Sequence, residues 1–124
     1  MIANEPRLGI DVSTDQLSMM AQLAQRAVDH CLKALFETNI LLARNVIEAD
    51  KAINSYEIDI DNSTYGLLTI NQIPPDILRQ IITIQKINAM LERIADLSTN
   101  IAEEATFAAI GKVIKHQEGE DFIG

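Results

Sequence analysis

Apolar residues recur at steps of three and four along three long segments of the chain, which is the spacing of one buried face on an α-helix. The clearest segment covers residues 90–105. The face predicted to be buried there is formed by Leu91, Ile94, Ser98, Ile101 and Ala105. Two earlier segments, over about 14–37 and about 39–67, show the same period. A chain with three such faces can bury them by packing helix against helix, so the pattern predicts an all-α fold.

Short connections separate the three segments. Thr38 or Asn39 offers a side-chain oxygen that can cap the second helix. Pro74 and Pro75 interrupt the chain before the third helix, which we expect to run from about 75 to 115. Short connections place consecutive helices antiparallel to one another. The sequence therefore predicts an up-down-up bundle of three long antiparallel helices.

The predicted domain has an extension at each end. Residues 1–12 contain Pro6 and Gly9 without a sustained period, and we expect a flexible arm there. Ser13 or Thr14 can cap the first helix. The helical domain is predicted over 13–116, and the short acidic segment 117–124 is expected to be a mobile tail.

The composition argues against several classes of protein. The net charge is −8 at pH 7, and Lys and Arg are not clustered, so we do not expect nucleic acid as a partner. No apolar run approaches the roughly twenty residues of a membrane-spanning helix, so direct membrane insertion is not expected. The single cysteine, Cys31, lies on an apolar face and is predicted to be an inert core residue. These features predict a cytoplasmic protein.

Two rows of acidic and amide residues lie beside the apolar faces. The row on the third helix consists of Glu92, Asp96 and Asn100, and the row on the second helix includes Asp50, Asn54 and Glu57. Oxygen ligands of this kind suit hard cations such as Mg²⁺, Mn²⁺, Ca²⁺ or Fe³⁺. Acidic residues four apart are also common on solvated helix surfaces. Spacing alone leaves open whether the rows bind metal or keep the bundle soluble.

Surplus apolar residues lie off the three main faces, at Ile47, Ile58, Leu68 and Leu97. They predict a second interface, between two copies of the chain. There is no Gly-rich phosphate loop and no nucleophile elbow, so an enzyme is not expected. A metal-dependent hydrolase would require a closed pocket around Glu92 and Asp96.

Two segments resemble signatures of a known family. Residues Ala43–Asn54, followed by Glu57, are similar to the second helix of a PhoU domain. Residues Gln85–Asp96 resemble the third-helix signature of that family, where Leu-Glu-Arg-Ile-Gly-Asp is usual and Ala95 stands in place of the glycine here. The resemblance covers about residues 14–110. One departure follows the turn, where the usual Asp-Leu-Arg reads Ile77-Leu78-Arg79.

The resemblance implies a regulatory, non-enzymatic protein. PhoU proteins are negative regulators of phosphate uptake and of the phosphate-starvation response, and they act with the phosphate ABC transporter and a membrane sensor kinase. Such partners would hold the chain at the inner membrane without insertion. Some members bind iron or zinc clusters through Glu/Asp-x-x-x-Asp motifs, a position that Glu92 and Asp96 occupy here. Asp50, Asn54 and Glu57 match polar positions of the family's second helix.

Most family members carry two three-helix repeats, so the resemblance also implies that a homodimer would rebuild a six-helix arrangement. Two alternatives remain open. The chain could be a helical dimerisation or scaffold module unrelated to phosphate. It could also be the cytoplasmic domain of a sodium–phosphate cotransporter, since single domains of this kind occur in such fusions.

Overall fold

Three long helices make up the fold. The computed structural model describes the backbone of residues 5–123 and the side chains of residues 7–111. Helix α1 spans Glu5–Glu37, α2 spans Ile40–Leu68 and α3 spans Pro75–Ile123. Each helix packs against both of the others. The predicted all-α bundle of three helices is confirmed.

Contacts between side chains give the directions of the helices. Gln85 of α3 bonds to Thr64 of α2, and Asn88 bonds to Asp61, so residue numbers rise on one helix as they fall on the other. Helices α2 and α3 are therefore antiparallel. Helix α1 runs the same way as α3, because the side chain of Cys31 lies beside Ser98 while the opposite end of α1 borders the start of α3. The order is up, down, up.

The core follows a seven-residue repeat in all three helices. We letter its positions a to g so that a and d face the bundle axis. In α3 the d positions are Ile77, Ile84, Leu91, Ser98 and Ala105, and the a positions are Ile81, Asn88, Ala95, Ala102 and Ala109. In α1 they are Ile10, Leu17, Ala24 and Cys31 at a, with Ser13, Met20, Ala27 and Ala34 at d. In α2 the d positions are Val46, Ile53, Ile60 and Leu67, and the a positions are Ala43, Asp50, Glu57 and Thr64. This repeat is typical of left-handed packing of long helices.

In the turn between α1 and α2, Asn39 closes the end of α1 with its backbone and caps the start of α2 with its side chain. The backbone N–H of Asn39 donates to the carbonyl of Ala34 at 2.9 Å, and Thr38 adopts a positive φ of 53°. This is the pattern that closes a helix C-terminus with a left-handed residue. The Asn39 side chain then accepts from the N–H of Leu42 at 3.1 Å and caps α2. Of the two caps predicted, Asn39 is the one observed.

Helix α1 begins nine residues earlier than predicted. Its helical backbone starts at Glu5, so the arm expected over 1–12 is helical from that residue onward. Pro6 lies in the first turn, where a missing N–H removes no helical bond. Ile10 is buried, and a Cβ at Gly9 would lie 2.5 Å from Leu67 Cδ2, so this turn packs closely on α2. Ser13 lies inside the helix and is buried, so the prediction of a cap there was wrong.

Helix α3 ends later than predicted, at Ile123 instead of about 115. The side chains beyond Gly111 lie outside the described residues. The backbone of the expected tail over 117–124 is helical as far as Ile123, and its mobility stays a prediction. A single glycine at 119 lowers helix stability by about 1 kcal/mol, which is not enough by itself to end a helix.

The apolar face predicted for α3 is rotated by one residue in its middle part. Ile87 and Ile94 are 38% and 40% exposed, while Asn88 and Ala95 are buried. The seven-residue repeat explains this, because it continues from Ile77 and Ile81 to Asn88 and Ala95 and leaves the two isoleucines at position g. On α2, Ile47 packs partly against the core, whereas Ile58 is exposed as predicted. Over the residues described, none of the helices carries an apolar stretch long enough to cross a membrane.

Candidate functional site

Acidic residues occupy positions between α2 and α3 where a helical bundle ordinarily places apolar side chains. Asp50 and Glu57 stand at the a positions of α2 and are half-buried. Asp61 lies one turn beyond Glu57 and faces α3 through Asn88. On α3, Glu92 is half-buried and Asp96 is exposed at the rim. We call these five carboxylates, Asp50, Glu57, Asp61, Glu92 and Asp96, the acidic seam.

The carboxylates of the acidic seam are close enough to change one another's protonation. The pKa of Glu92 is raised from 4.5 to about 7, first by a hydrogen bond shared with Asp96, then by burial, and then by the negative charges of the neighbouring carboxylates. Burial also raises the pKa of Glu57, with further contributions from Asp61, Asp96 and Asp50. Because residues of both helices contribute, the negative charge is shared across the α2–α3 interface.

No basic side chain compensates this charge among the described residues. The one ion pair within 4 Å in that part of the chain joins Lys51 to Glu48 at 3.3 Å, and both side chains are largely exposed. An exposed pair of this kind contributes little to stability. The acidic seam therefore holds excess negative charge, which favours protons, cations or a basic surface.

Two amide side chains support the acidic seam. Asn54 donates from Nδ2 to Asp50 Oδ2 at 3.3 Å. Asn88, only 1% exposed, donates from Nδ2 to Asp61 Oδ1 at 3.0 Å and to the backbone carbonyl of Glu57 at 3.0 Å. The Asn54 bond lies within α2, whereas the two Asn88 bonds hold the backbone and a carboxylate of α2 against α3. Buried oxygens of Asp50 (Oδ1) and Asn88 (Oδ1) have no hydrogen-bond partner in the structure, so each can accept one more donor.

Five of the six candidate ligands come together in the structure. Asp50, Glu57, Glu92 and Asp96 belong to the acidic seam, and Asn54 bonds to Asp50. Asn100 is exposed and lies at position f, apart from the others. Each step of four residues advances about 40° around a helix, so a third member of such a row turns away from the neighbouring helix.

Asn88 was absent from the candidates drawn from sequence. It lies between Ile84 and Leu91 in the seven-residue repeat, at a position that otherwise carries Ile81, Ala95 and Ala102. A buried amide in such a place must find partners, and here it finds them on α2. The signal available in the sequence was an asparagine in a core position, which becomes visible only when the register of the repeat is known.

Cation binding at the acidic seam stays a prediction. The donor set consists of oxygen atoms and suits hard cations better than zinc, which favours nitrogen and sulfur ligands. Among the side chains that the structure describes, no group of three or more His, Cys, Asp or Glu residues is placed to hold one metal ion. The side chains as placed therefore do not form a coordination shell by themselves.

Cys31 does not take part in the acidic seam. It is fully buried in α1, its Sγ lies 3.2 Å from the carbonyl of Val28, and burial raises the pKa of the thiol. A buried thiol with a raised pKa is a poor nucleophile. Its burial agrees with the predicted place in the core.

A cleft lies at the end of the bundle where α1 and α3 begin. This open cleft of about 400 Å³ between α1 and α3 is bordered by Thr14, Arg79 and Thr83. Asp76 also borders this cleft, so the Arg79 guanidinium is not part of a uniformly positive surface. The acidic seam is the stronger candidate for function because its charges are shared between two helices.

Comparisons with known proteins identify a family. A model of the PhoU domain matches residues 17–105, which contain the whole acidic seam. The chain is 36% identical over 100 residues to a phosphate-specific transport system accessory protein PhoU homolog from Aquifex aeolicus, which covers 81% of this chain and 45% of that protein. It is 35% identical over 97 residues to a homolog from Thermotoga maritima, covering 78% of this chain and 42% of that protein.

The accessory protein PhoU of Escherichia coli is 30% identical over 90 residues, covering 73% of this chain and 37% of that protein. The chain thus spans less than half the length of these curated relatives. No solved structure matches it.

Glu92 gives the acidic seam a pH dependence that can be measured. Its raised pKa means that the folded state binds a proton more tightly than the unfolded state, so stability falls as pH rises from about 5 to about 8. We expect Glu92→Gln to remove part of that slope and to raise the free energy of unfolding at pH 8 by on the order of 1 kcal/mol, after allowance for solvent screening. Urea denaturation at several pH values measures both effects.

Glu104→Gln, on the exposed surface of the same helix, is the matched control and should leave the slope unchanged. Equal pH slopes for the wild type and Glu92→Gln would contradict the shared charge of the acidic seam.

Proposed function

The chain belongs to the PhoU domain family, and we propose that it is a non-enzymatic accessory component of phosphate transport. In this role it binds protein partners and lowers phosphate uptake and phosphate-starvation signalling. The observation that carries the proposal is the family match over residues 17–105, together with relatives whose names describe accessory proteins of the phosphate-specific transport system. The proposed partners are the phosphate transporter and a membrane sensor kinase.

The acidic seam is the proposed surface for these partners. The pKa of Glu92 is raised first by its hydrogen bond with Asp96 and then by burial, and the pKa of Glu57 is raised first by burial; the negative charges of neighbouring carboxylates raise both further, so the free chain carries like charges close together. A basic segment of a partner would offset these charges and would gain the charge-assisted hydrogen bonds that Asp50 and Asp96 can accept. Binding would thus be favoured by the same charge that is unfavourable in the free chain. The overall charge of −8 adds long-range attraction to a basic surface.

Copurification tests the proposed role. We expect the chain to be retained with the transporter ATPase or the sensor kinase, and the double variant Glu92→Gln/Asp96→Asn to lose at least about tenfold in retention, since two desolvated charges are removed. The control variant Asp15→Asn/Asp29→Asn removes two exposed carboxylates of α1 and should bind like the wild type.

Deletion of the chain should raise phosphate uptake at high external phosphate. Failure of the wild type to bind either partner at both high and low phosphate, with unchanged uptake after deletion, would contradict the proposal.

A bound cation is the second part of the proposal. Glu92 and Asp96 would supply carboxylate oxygens, and Asp50 and Glu57 would supply others from α2. The unshared oxygen of Asp50 and the raised pKa of Glu92 support this, because a cation would neutralise charge that the described residues leave unbalanced. Since no three ligands converge within those residues, side-chain movement or a partner's ligands would complete the shell.

Metal analysis of the purified protein and thermal denaturation with Fe³⁺ or Mn²⁺ test the cation. We expect a higher Tm with the bound metal and loss of the increase in Asp96→Asn, with the exposed Asp59→Asn as the control. Absence of metal, combined with an unchanged Tm in both titrations, would leave the acidic seam as a solvated surface.

A scaffold or dimerisation module is the second candidate function. The exposed apolar residues of α3, including Met90 and Leu97, favour it. It predicts self-association with no effect of deletion on phosphate uptake, so the uptake measurement separates it from the main proposal.

A further inference from the structure

Large apolar side chains are exposed at the end of the α2–α3 face where the acidic seam stops. They belong to Tyr65 and Leu68 of α2 and to Leu78 and Ile82 of α3, and we call these four residues the apolar patch. Tyr65 is 61% exposed and Ile82 is 41% exposed. Single apolar residues are normal on a protein surface, but a cluster shared by two helices marks an interaction surface.

The α2–α3 face changes from acidic to apolar along each helix. On α2, Asp61 and Leu68 lie seven residues apart and share position e of the repeat. On α3, position b holds Ile82 and, two repeats later, Asp96. Residues that share a position of the repeat lie on the same side of their helix. The apolar patch and the acidic seam are therefore the two ends of one surface.

Hydrogen bonding between α2 and α3 sets the two halves of the apolar patch level with each other. Gln85 donates to Thr64 at 3.2 Å, so the turn before Gln85 lies beside the turn after Thr64. These two antiparallel turns hold Ile82 and Leu68. Leu78, one repeat before Gln85, lies on the same side of α3. The apolar patch thus spans both helices, as the acidic seam does.

The described cations of α2 and α3 lie around this face. Arg79, Lys86 and Arg93 all stand at position f, the outermost position of α3. Arg44 lies beyond the far end of the acidic seam, and Lys51 pairs with a glutamate of its own helix. A segment seated between α2 and α3 would therefore meet carboxylates at one end and apolar side chains at the other.

We propose that the α2–α3 face binds an amphipathic helix of a protein partner, with apolar side chains on the apolar patch and Lys or Arg side chains on the acidic seam. The inference rests on the proposed function and specifies the part of the partner that binds. An apolar helix face lying in a groove is a recurring mode of peptide recognition. Charge complementarity selects a basic segment, because an acidic one would place like charges together at the acidic seam.

The dimensions of the face define the sequence of the partner helix. Ile82 and Glu92 lie ten residues apart on α3, or about 15 Å, and Asp96 lies about 6 Å further. A helix lying alongside α3 rises by the same amount per residue. The partner helix therefore carries apolar residues over two turns, and basic residues on the same side about ten to fourteen residues away.

The two ends of the face contribute to binding in different ways. Burial of apolar surface at the apolar patch stabilises the complex without a requirement for charge. Attraction between the acidic seam and basic side chains is screened by salt, with a Debye length of about 10 Å at 0.1 M. The salt dependence of binding therefore reports the contribution of the acidic seam.

Fluorescence anisotropy with a labelled helical peptide tests the face. The probe is a peptide of about 21 residues, with Leu on one side of its first two turns and Arg on the same side of its last two turns. A second probe has the reverse order, so that both directions of the helix are covered. We expect one order to bind the wild-type chain. An isomer with its Arg residues moved to the opposite side should bind at least about tenfold more weakly.

Substitution of the apolar patch tests its part in binding. We expect Leu78→Gln/Ile82→Gln to raise the Kd of the peptide about tenfold while the salt dependence persists. Met90→Gln/Leu97→Gln, which changes exposed apolar residues on the other side of the same helix, is the matched control and should bind like the wild type. Circular dichroism of each variant confirms that the helices are retained.

Substitution of the acidic seam tests the charged end. Glu92→Gln/Asp96→Asn should also raise the Kd of the peptide about tenfold, and it should reduce the salt dependence because two of the attracting charges are removed.

Absence of binding by both peptide orders, or equal Kd values for the wild type and Leu78→Gln/Ile82→Gln, would overturn the proposal. Self-association of the wild type that Leu78→Gln/Ile82→Gln abolishes would identify a second copy as the occupant and would also overturn it.

The transporter separates this inference from the proposed function. If Leu78→Gln/Ile82→Gln copurifies with the transporter as well as the wild type does, the apolar patch is not part of that contact, and the proposed function stands without it. Peptide binding as expected, combined with failure to copurify and unchanged phosphate uptake after deletion, would leave the binding face standing and contradict the proposed function.

Discussion

Repulsion among carboxylates placed between two packed helices is the constraint on which the rest of this structure depends. Asp50 and Glu57 hold core positions of α2, and Glu92 approaches them from α3. Burying charge without an opposite charge is unfavourable, so other contacts must hold α2 against α3. The d positions of α2, including Ile53 and Ile60, supply apolar burial along the same helix. The apolar burial at these d positions therefore offsets the unfavourable free energy of placing carboxylates between α2 and α3.

Helix α3 gives the molecule two surfaces of opposite character. Its e and b positions contribute Glu92 and Asp96 to the acidic seam, while its c and g positions carry exposed apolar side chains such as Met90 and Leu97. These surfaces lie on different sides of one helix, so a partner bound at the acidic seam would leave the apolar face uncovered. Substitutions on one side should leave the other intact, because the core of small residues such as Ala95 and Ala102 separates them.

The sequence allowed the helix count, the position of the turn at Asn39 and the start of α3 at Pro75 to be predicted. Each depends on local chemistry, namely a seven-residue period, a side-chain cap and a proline. The beginning of α1 could not be predicted in this way. Pro6 and Gly9 are weak local signals for a helix, and the packing of that turn depends on Leu67, which is far along the chain.

The residues of α3 that face the core could not be predicted from the sequence alone. Ile87 and Ile94 satisfy a helical period as well as Asn88 and Ala95 do, because two apolar faces run side by side there. Only the packing of α1 and α2 decides which face is the core, and Asn88 became recognisable as the buried support of Asp61 once that was known. The most direct test of the shared charge is an NMR titration of the Glu92 side-chain carboxyl carbon. We expect a midpoint near pH 7, whereas a midpoint near 4.5, the ordinary value for glutamate, would contradict the acidic seam as described.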